Sequence, residues 1–549
     1  MLPAFLGAAL RAAEGPALAV AAAAGDPDRF MRAAAHGLAT VVLRHLGGLG
    51  LPPADVPGAA PRRECVRQLS GRGVAGARVV ALVGPGNNGG DGLFALALLA
   101  KRGAQVAAIQ IGERRHERAA AALLAAGGRV HLLGTQAAER ALAGCEVLLD
   151  AALGTGVRGG VALPEPPQTA WRIACDLPSG VDADSGAAGE PTPWADDTVC
   201  FGAVTVGTLL GRGRELSGSL RLVPIPGLLD PTLLGLPEIE VLSADESLDS
   251  ILSPLVGDHK YSRGVLGLVA GSADYPGAAV LCGEAALTTG VGMLSAWSSH
   301  PARELLVAAL PEAVVRERSE LLQPLSAERS TARIAAWVLG PGLGEQPSDL
   351  EAAASILRRG LPAVVDASAL AVVAEAATPA SDGPYGAAEA KWVPRLLTPH
   401  AGELRALGER LCLGLSNPLT QPLAAVRQAA KALDAVVLLK GSTTLVAEPG
   451  GRVLAASAGE PWLAVAGSGD TLAGIAGALL ATHAARAAGE GRSLGPKELA
   501  TLGASAALLH GLAGRAAPGR GAAELSEGLR RVLRAAGPVA ESLPTTSAR

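Results

Sequence analysis

The residues Gly467-Ser468-Gly469-Asp470, running into Thr471-Leu472-Ala473-Gly474-Ile475-Ala476-Gly477, place one carboxylate at the mouth of an apolar, glycine-spaced helix. A helix start exposes backbone N–H groups without intrahelical acceptors and the positive end of the dipole, which suits a phosphate or a developing anion. A carboxylate held there can also take a proton from a hydroxyl. Taken alone, G-S-G-D is compatible with a mere turn and cap. Upstream, however, Leu438-Leu439-Lys440-Gly441-Ser442-Thr443-Thr444 reads as a buried strand that ends in a cation and hydroxyls. Two anion-handling elements in that order indicate a nucleotide-phosphate site.

The first half carries a different set. Val83-Gly84-Pro85-Gly86-Asn87-Asn88-Gly89-Gly90-Asp91-Gly92-Leu93 has four glycines among residues 84–90, between a strand and a helix. Such spacing lets backbone amides approach a ligand closely. It matches neither the G-x-G-x-x-G fingerprint with its ribose-binding acid nor a P-loop. Asp150-Ala151-Ala152-Leu153-Gly154-Thr155-Gly156 and Asp176-Leu177-Pro178-Ser179-Gly180-Val181-Asp182 also follow strands, so the three loops gather on one edge. Together they offer Asn, Asp and Ser oxygens without His or Cys, the ligand set of a hard cation. Asp182 and Asp184 read as turn formers.

In the second half Gly271-Ser272-Ala273-Asp274-Tyr275-Pro276-Gly277-Ala278, Gly340-Pro341-Gly342-Leu343-Gly344 and Thr398-Pro399-His400-Ala401-Gly402-Glu403 repeat the strand–loop–helix placement. His400 alone among the histidines considered stands at such an edge. His36, His45, His116, His131, His300, His483 and His510 read as surface or packing residues.

These loops need parallel sheets to hold them. Residues 77–83, 105–111, 146–150 and 172–176 read as strands and 92–102 as a helix. A second series follows, with strands at 264–270, 335–339, 363–366, 395–397 and 435–439, a short antiparallel strand at 453–456 and a long helix at 498–515. Apolar runs without alternation, separated by helices, predict sheets covered on both faces, with ligands at the carboxyl ends of strands. The fold class is therefore α/β. At 549 residues the chain needs more than one core. The Pro-, Gly- and Leu-rich stretch from 224, with residues 228–255 read as a linker, divides it into 1–228 and 245–540. The tail after 535 is expected to fray.

Composition narrows the class. A net charge of −4 with interspersed signs provides no basic stripe for nucleic acid. Six cysteines, at 65, 145, 175, 200, 282 and 412, form no C-x-x-C, which argues for a reducing compartment and against zinc. Residues 1–24 are alanine-rich, but Arg11 and Glu14 interrupt them and no basic segment precedes, so an amphipathic helix is expected rather than a signal peptide. No membrane span is expected, and the expected location is cytoplasmic.

The motifs G-P-G-N-N-G-G-D-G-L, D-A-x-L-G-T-G and D-L-P-S-G-V-D resemble the NAD(P)H-hydrate epimerase domain. H-K-Y-S-R-G, G-S-x-x-Y-P-G-A, G-P-G-L-G, T-P-H-x-G-E, L-K-G-S-T-T and G-S-G-D-T-L-A-G-I resemble the ADP/ATP-dependent NAD(P)H-hydrate dehydratase domain. The match covers residues 10–225 and 250–515, in the order of the bifunctional nicotinamide-nucleotide repair family. It implies an N-terminal Rossmann-like three-layer parallel sheet and a C-terminal ribokinase-like α/β domain. The substrates implied are NADH-hydrate and NADPH-hydrate, with ADP or ATP, Mg2+ and K+ as companions. Neither nucleic acid nor membrane is an expected partner, and a homo-oligomer is the expected assembly.

By the same resemblance Asp470 takes a proton from the C6 hydroxyl of the hydrated ring while ATP or ADP phosphorylates it. Gly467, Ser468 and Gly469 face the transferred phosphoryl, and Lys440, Gly441, Ser442, Thr443 and Thr444 hold the nucleotide phosphates. Ala278, Gly342, Gly344 and His400 line the substrate side. In the first domain Asn88, Asp150 and Ser179 match a potassium site. Asn87, Asn88, Gly89, Gly90, Asp91, Gly154, Thr155, Gly156, Val157, Arg158, Gly159, Gly160 and Asp176 match the substrate site, with Asp150 the candidate for proton transfer.

Three positions depart from the family pattern. Thr205 stands where a lysine is usual, Arg32 where L-M-E-R has glutamate, and Ser368 interrupts D-A-D-A-L. The first two leave open a non-catalytic first domain. A ribokinase-class small-molecule kinase is the other alternative, because it shares the G-S-G-D edge.

Overall fold

In a computed structural model, residues 1–51, 53–58, 66, 68–156, 160–323, 331, 333–376, 392–458, 460–519 and 521–537 are described. The chain divides into two compact units, with the boundary between Val241 and Leu242.

In the first unit a seven-stranded parallel sheet runs, from edge to edge, Arg129–Leu132, Gln105–Gln110, Arg78–Val83, Val147–Ala151, Trp171–Cys175, Asp197–Phe201 and Ser219–Val223. Side chains alternate across a strand, so two cores form. Val79, Ala81 and Val83 enter one with the helices Arg29–Leu46 and Asn87–Ala100, whereas Val80 and Leu82 enter another with Gln136–Ala143. That is a three-layer sandwich.

The second unit orders its parallel strands Val314–Glu317, Met293–Ser298, Val265–Val269, Ala336–Leu339, Ala363–Val365, Arg395–Leu397 and Val436–Leu439. Thr444–Ala447 and Val453–Ala456 then add an antiparallel hairpin. Leu266, Val338, Val364 and Leu438 bury one face against the helices Pro276–Thr289, Ser468–Gly489 and Pro496–Ala516. Gly474 permits this, because a Cβ there would lie 2.1 Å from the Cys282 carbonyl oxygen of the facing helix. Among the described residues no helix is long and apolar enough to cross a membrane.

Several readings change. Residues 1–24 are not one helix: Leu2–Phe5 is a strand, paired antiparallel with Ile239–Val241 and parallel with Val204–Thr205, and the helix runs Gly7–Ala23. The stretch 228–255 is more than a linker, holding the helix Pro231–Leu234, that strand and the helix Ala244–Leu248. The helix expected from 92 begins at Asn87. The strands at 129–132, 197–201, 219–223, 293–298 and 314–317 escaped the sequence reading. Most of these carry polar residues that break the apolar run, such as Arg129, Asp197, Arg221 and Arg316. The helix Leu525–Ala536 reaches past 535, and residues from 538 on lie outside the described ones.

Candidate active sites

In the first unit the loops at the carboxyl ends of the central strands interlock. Gly84 could carry no side chain, since a Cβ would lie 1.8 Å from the Ala152 carbonyl oxygen. Asp150 is buried and accepts from the Ser179 hydroxyl (2.6 Å), the Ser179 N–H (2.9 Å) and the Ala152 N–H (3.3 Å). Asn88 donates to the Leu153 carbonyl at 2.7 Å, and Leu153 N–H donates to the Ser179 hydroxyl at 2.8 Å. Asn88, Asp150 and Ser179 thus meet around Leu153. Among the described residues Asn88 Oδ1 is buried without a hydrogen-bond partner. A buried orphan oxygen beside a carboxylate and a hydroxyl fits an oxygen-coordinated cation such as K+.

Asp176 lies on the same edge, one residue beyond Trp171–Cys175, with its backbone in the left-handed region at φ 71°. Such strain in a non-glycine residue persists only where surrounding structure imposes it. Among the described residues its carboxylate accepts one long bond, from Phe201 N–H at 3.5 Å. Burial, then the charge of Glu14, push its pKa up to about 7, against the pull of the Phe201 N–H. Asp91, in the first turn of Asn87–Ala100, is raised well above the usual range by burial, then by Asp176 and Glu14. Burial also raises Asp150, with the Ser179 and Ala152 hydrogen bonds opposing.

Glu14 was not singled out from sequence. It sits on Gly7–Ala23, which is tied to these loops by Arg11 Nη1 donating to the Thr155 carbonyl at 3.3 Å and Gly7 N–H to Asp184 at 2.6 Å. Burial raises its pKa, with Arg11 opposing. Gly154 lies beside Asn88, Gly160 sits against Gly189 and Glu190, and a Cβ on Gly156 would meet nothing within 4 Å among the described residues. Val157, Arg158 and Gly159 lie outside the described residues. Thr205, at the place of the usual lysine, is buried with its hydroxyl unpartnered among the described residues. Arg32 turns to the surface and pairs with Asp26 at 2.7 Å.

In the second unit, Lys440 joins the strand-end loops. Its Nζ lies 2.8 Å from Asp366 and 3.6 Å from Glu403, and Asp366 also accepts from the Thr398 hydroxyl at 2.8 Å. Burial works to lower the Lys440 pKa, but Asp366 and Glu403 carry it above its ordinary value. His400 caps the helix Ala401–Arg410: its Nδ1 accepts from Gly402 and Glu403 N–H, and Glu403 returns a bond to the His400 N–H. Its ring is more than half exposed at the edge. On the other side Gly342 stands against Ala278 and the Tyr275 carbonyl, and Gly344 against Ser272.

Gly467 adopts φ 88° and starts the helix Ser468–Gly489. Ser468 N–H donates to the Val465 carbonyl, so Gly469 and Asp470 supply the first-turn N–H groups that lack an intrahelical acceptor. A Cβ on Gly469 would lie 3.8 Å from Lys440 Nζ, so cation and turn face one place. Asp470 is raised to about 6 by burial, then by Asp366, with Lys440 opposing. It is therefore not the sole carboxylate here, because Asp366 and Glu403 share the edge. In the Lys440 loop Gly441 and Ser442 are exposed, Thr444 opens the next strand, and Thr443 Oγ1 is buried without a partner among the described residues. Among the described residues no group of three or more His, Cys, Asp or Glu could hold a metal ion. Mg2+ would then rely mainly on phosphate oxygens and water, its usual habit beside nucleotides.

Ser468 and His510 depart from expectation. The Ser468 hydroxyl turns inward, 3.1 Å from His510 Nε2 on the helix Pro496–Ala516, and both residues are buried. No local signal marks His510, because it lies in an apolar helix and its partner is distant in sequence. His45, by contrast, packs as expected, 4.7 Å from the Trp171 ring.

Two family models match the chain, NAD(P)H-hydrate dehydratase over residues 266–531 and YjeF-related protein N-terminus over residues 27–207. The bifunctional NAD(P)H-hydrate repair enzyme of Mycobacterium tuberculosis is 36% identical over 492 residues, covering 86% of this chain and 88% of that one. Its Corynebacterium glutamicum counterpart is 30% identical over 535 residues, covering 83% of each. Among solved structures, the Bacillus subtilis ADP/ATP-dependent NAD(P)H-hydrate dehydratase is similar at 26% identity and TM-score 0.40, over 54% of this chain and 98% of that one. The sequence relationship, spanning both units, makes this chain a member of the family of bifunctional NAD(P)H-hydrate repair enzymes.

Proposed function

We propose that the second unit dehydrates S-configured NADH-hydrate or NADPH-hydrate at the expense of ADP or ATP, and that the first unit interconverts the R and S forms. The observation that carries the dehydratase reading is Asp470, a carboxylate raised to about 6 at a helix mouth that also faces Lys440. Asp470 removes the proton of the C6 hydroxyl as its oxygen attacks the terminal phosphorus of the nucleotide. The bond from that phosphorus to the bridging oxygen breaks. The Gly469 and Asp470 N–H groups meet the charge on the transferred phosphoryl. The ring nitrogen lone pair then expels phosphate from C6, and loss of a C5 proton restores the C5=C6 bond.

Lys440 is engaged by Asp366 and Glu403, so it acts as the centre of a charge network rather than as a free phosphate clamp. Ser442, Thr443 and the loop backbone are the groups proposed to meet the nucleotide, which supplies the orphan Thr443 hydroxyl with a partner. Gly342, Gly344, Ala278 and His400 border the substrate side. Mg2+ would screen the phosphate charge.

In the first unit Asn88, Asp150 and Ser179 would hold K+, whose charge balances Asp150. Epimerisation needs a group that both takes and returns a proton near neutral pH. Asp176 suits this better than Asp150, since among the described residues three hydrogen bonds engage Asp150 and one long bond engages Asp176. A cytoplasmic location agrees with five unpaired cysteines among the described residues, four of them buried.

The test is to incubate the full chain with mixed NADH-hydrate epimers, with and without ADP, and to follow NADH absorbance. Complete recovery that depends on ADP supports both activities. Recovery of only the S fraction removes the epimerase reading, and a stable phosphorylated product would favour a kinase instead.

A further inference from the structure

We propose that His510 is a positioning residue of the dehydratase: by gripping the Ser468 hydroxyl beneath the G-S-G-D turn, it fixes the direction in which the Gly469 and Asp470 N–H groups and the Asp470 carboxylate face the phosphoryl. The inference rests on the reading of the second unit as the dehydratase.

Ser468 is flanked by Gly467 and Gly469, the former at φ 88°. Glycine on both sides gives this turn more backbone freedom than any other residue pair would. Yet phosphoryl transfer depends on donors fixed within a fraction of an ångström. The turn carries one side chain ahead of Asp470 that can be held, and it is held: Ser468 Oγ lies 3.1 Å from His510 Nε2, with Ser468 5% and His510 6% exposed. The N-cap position itself is Gly467, which has no side chain to cap the helix, so the Ser468 hydroxyl is the first side-chain group of the turn. The weaker local tie, Thr471 Oγ1 donating to the Gly467 carbonyl at 3.4 Å, cannot orient the turn from below.

The anchor itself is rigid. His510 belongs to the 21-residue helix Pro496–Ala516, whose Leu499, Leu502, Leu508 and Leu509 are buried in the main core. Burial holds the imidazole down at about 4; hydrogen bonding at Ser468 opposes this, and the Lys440 charge adds to the lowering. The ring is thus neutral at physiological pH and adds no charge to compete with Lys440 or the phosphates. A neutral imidazole gives one donor and one acceptor nitrogen, so either hydrogen-bond direction with a hydroxyl is satisfiable.

The test uses the full chain with S-configured NADH-hydrate and saturating ADP. His510→Leu keeps volume without the hydrogen bond, His510→Gln places an amide near the Nε2 position, and Ser468→Ala removes the partner. His510→Leu and Ser468→Ala should each lower kcat roughly 10- to 100-fold, with the KM for the hydrate changed less than about twofold. The double variant should be no worse than either single one, and His510→Gln should recover much of the loss. Wild-type kcat in Ser468→Ala overturns the proposal, even if both His510 variants fail to fold. Equal impairment of His510→Leu and His510→Gln, or losses that multiply in the double variant, also overturns it in favour of simple packing. An inactive wild-type chain would instead defeat the dehydratase reading itself.

Discussion

Replacing Asp470 by Asn separates the chemistry of this carboxylate from its effect on the fold. The carboxyl moves from an ordinary 3.8 to about 6 on folding, through burial and the nearby Asp366. At about 1.4 kcal/mol per pH unit this corresponds to about 3 kcal/mol of preference for the protonated form. Partial solvent access reduces the usable figure to about 1–2 kcal/mol. The sign follows from the raised folded-state value. The protonated carboxyl's contribution is full below pH 3.8 and is lost as pH rises through about 6. At pH 8 the wild-type second unit therefore bears an ionised, half-buried carboxylate that the amide variant lacks.

Asp470→Asn should accordingly raise the calorimetric Tm of the second unit at pH 8, by roughly 2–8 °C. The gain should vanish below about pH 4, where the wild-type carboxyl is also neutral. Turnover should fall by a factor on the order of 10² or more, because Asn cannot accept the hydroxyl proton. In the wild type kcat/KM should climb with pH through about 6, and the residual activity of the variant should lose that limb. Near-wild-type turnover would refute the base assignment. A variant less stable than wild type at pH 8 would refute the electrostatic argument, even if activity were lost.

Asp150→Ala should abolish consumption of the R epimer while leaving S-specific dehydration intact, and replacing potassium with tetramethylammonium should slow the R epimer alone; equal rates in both buffers would exclude the cation site. A fragment starting at Leu242 should fold and convert only the S epimer quickly, and thermal melts should show it more stable than one starting at 245, because Leu242 is 3% exposed in the second-unit core and donates to the Ala455 carbonyl. The loss expected at 245 is about 2 kcal/mol or more. Thr443→Val should stabilise the nucleotide-free chain by about 1 kcal/mol, by removing an unsatisfied buried hydroxyl, while raising the KM for ADP; an unchanged KM would remove Thr443 from the nucleotide site.

Much of this protein was determined by the sequence alone. Continuous apolar runs such as 79–83 and Val436–Leu439 are sheet interiors, because only strands covered on both faces bury every residue. Once those runs are strands, chain direction puts Asn88, Asp150, Asp176, Gly342, His400 and Lys440 at one kind of edge. The glycines of 84–90 and 467–469 likewise announce close backbone approach. Where polar residues interrupt a strand, as at Asp197 and Arg221, the signal fails, since those side chains pair with each other at 2.7 Å only after the strands are neighbours.

The rest was decided by tertiary structure. Lys440 meets Asp366 across 74 residues and Ser468 meets His510 across 42, pairings that depend on strand order and on which helix stacks beneath the turn. Likewise Glu14 raises Asp176 only because a helix of the first residues is tied over the strand ends. The spacing of motifs identifies which chemistry is present. Burial, which sets the proton affinities of Asp176 and Asp470, arises only when separate stretches of chain exclude water from one another.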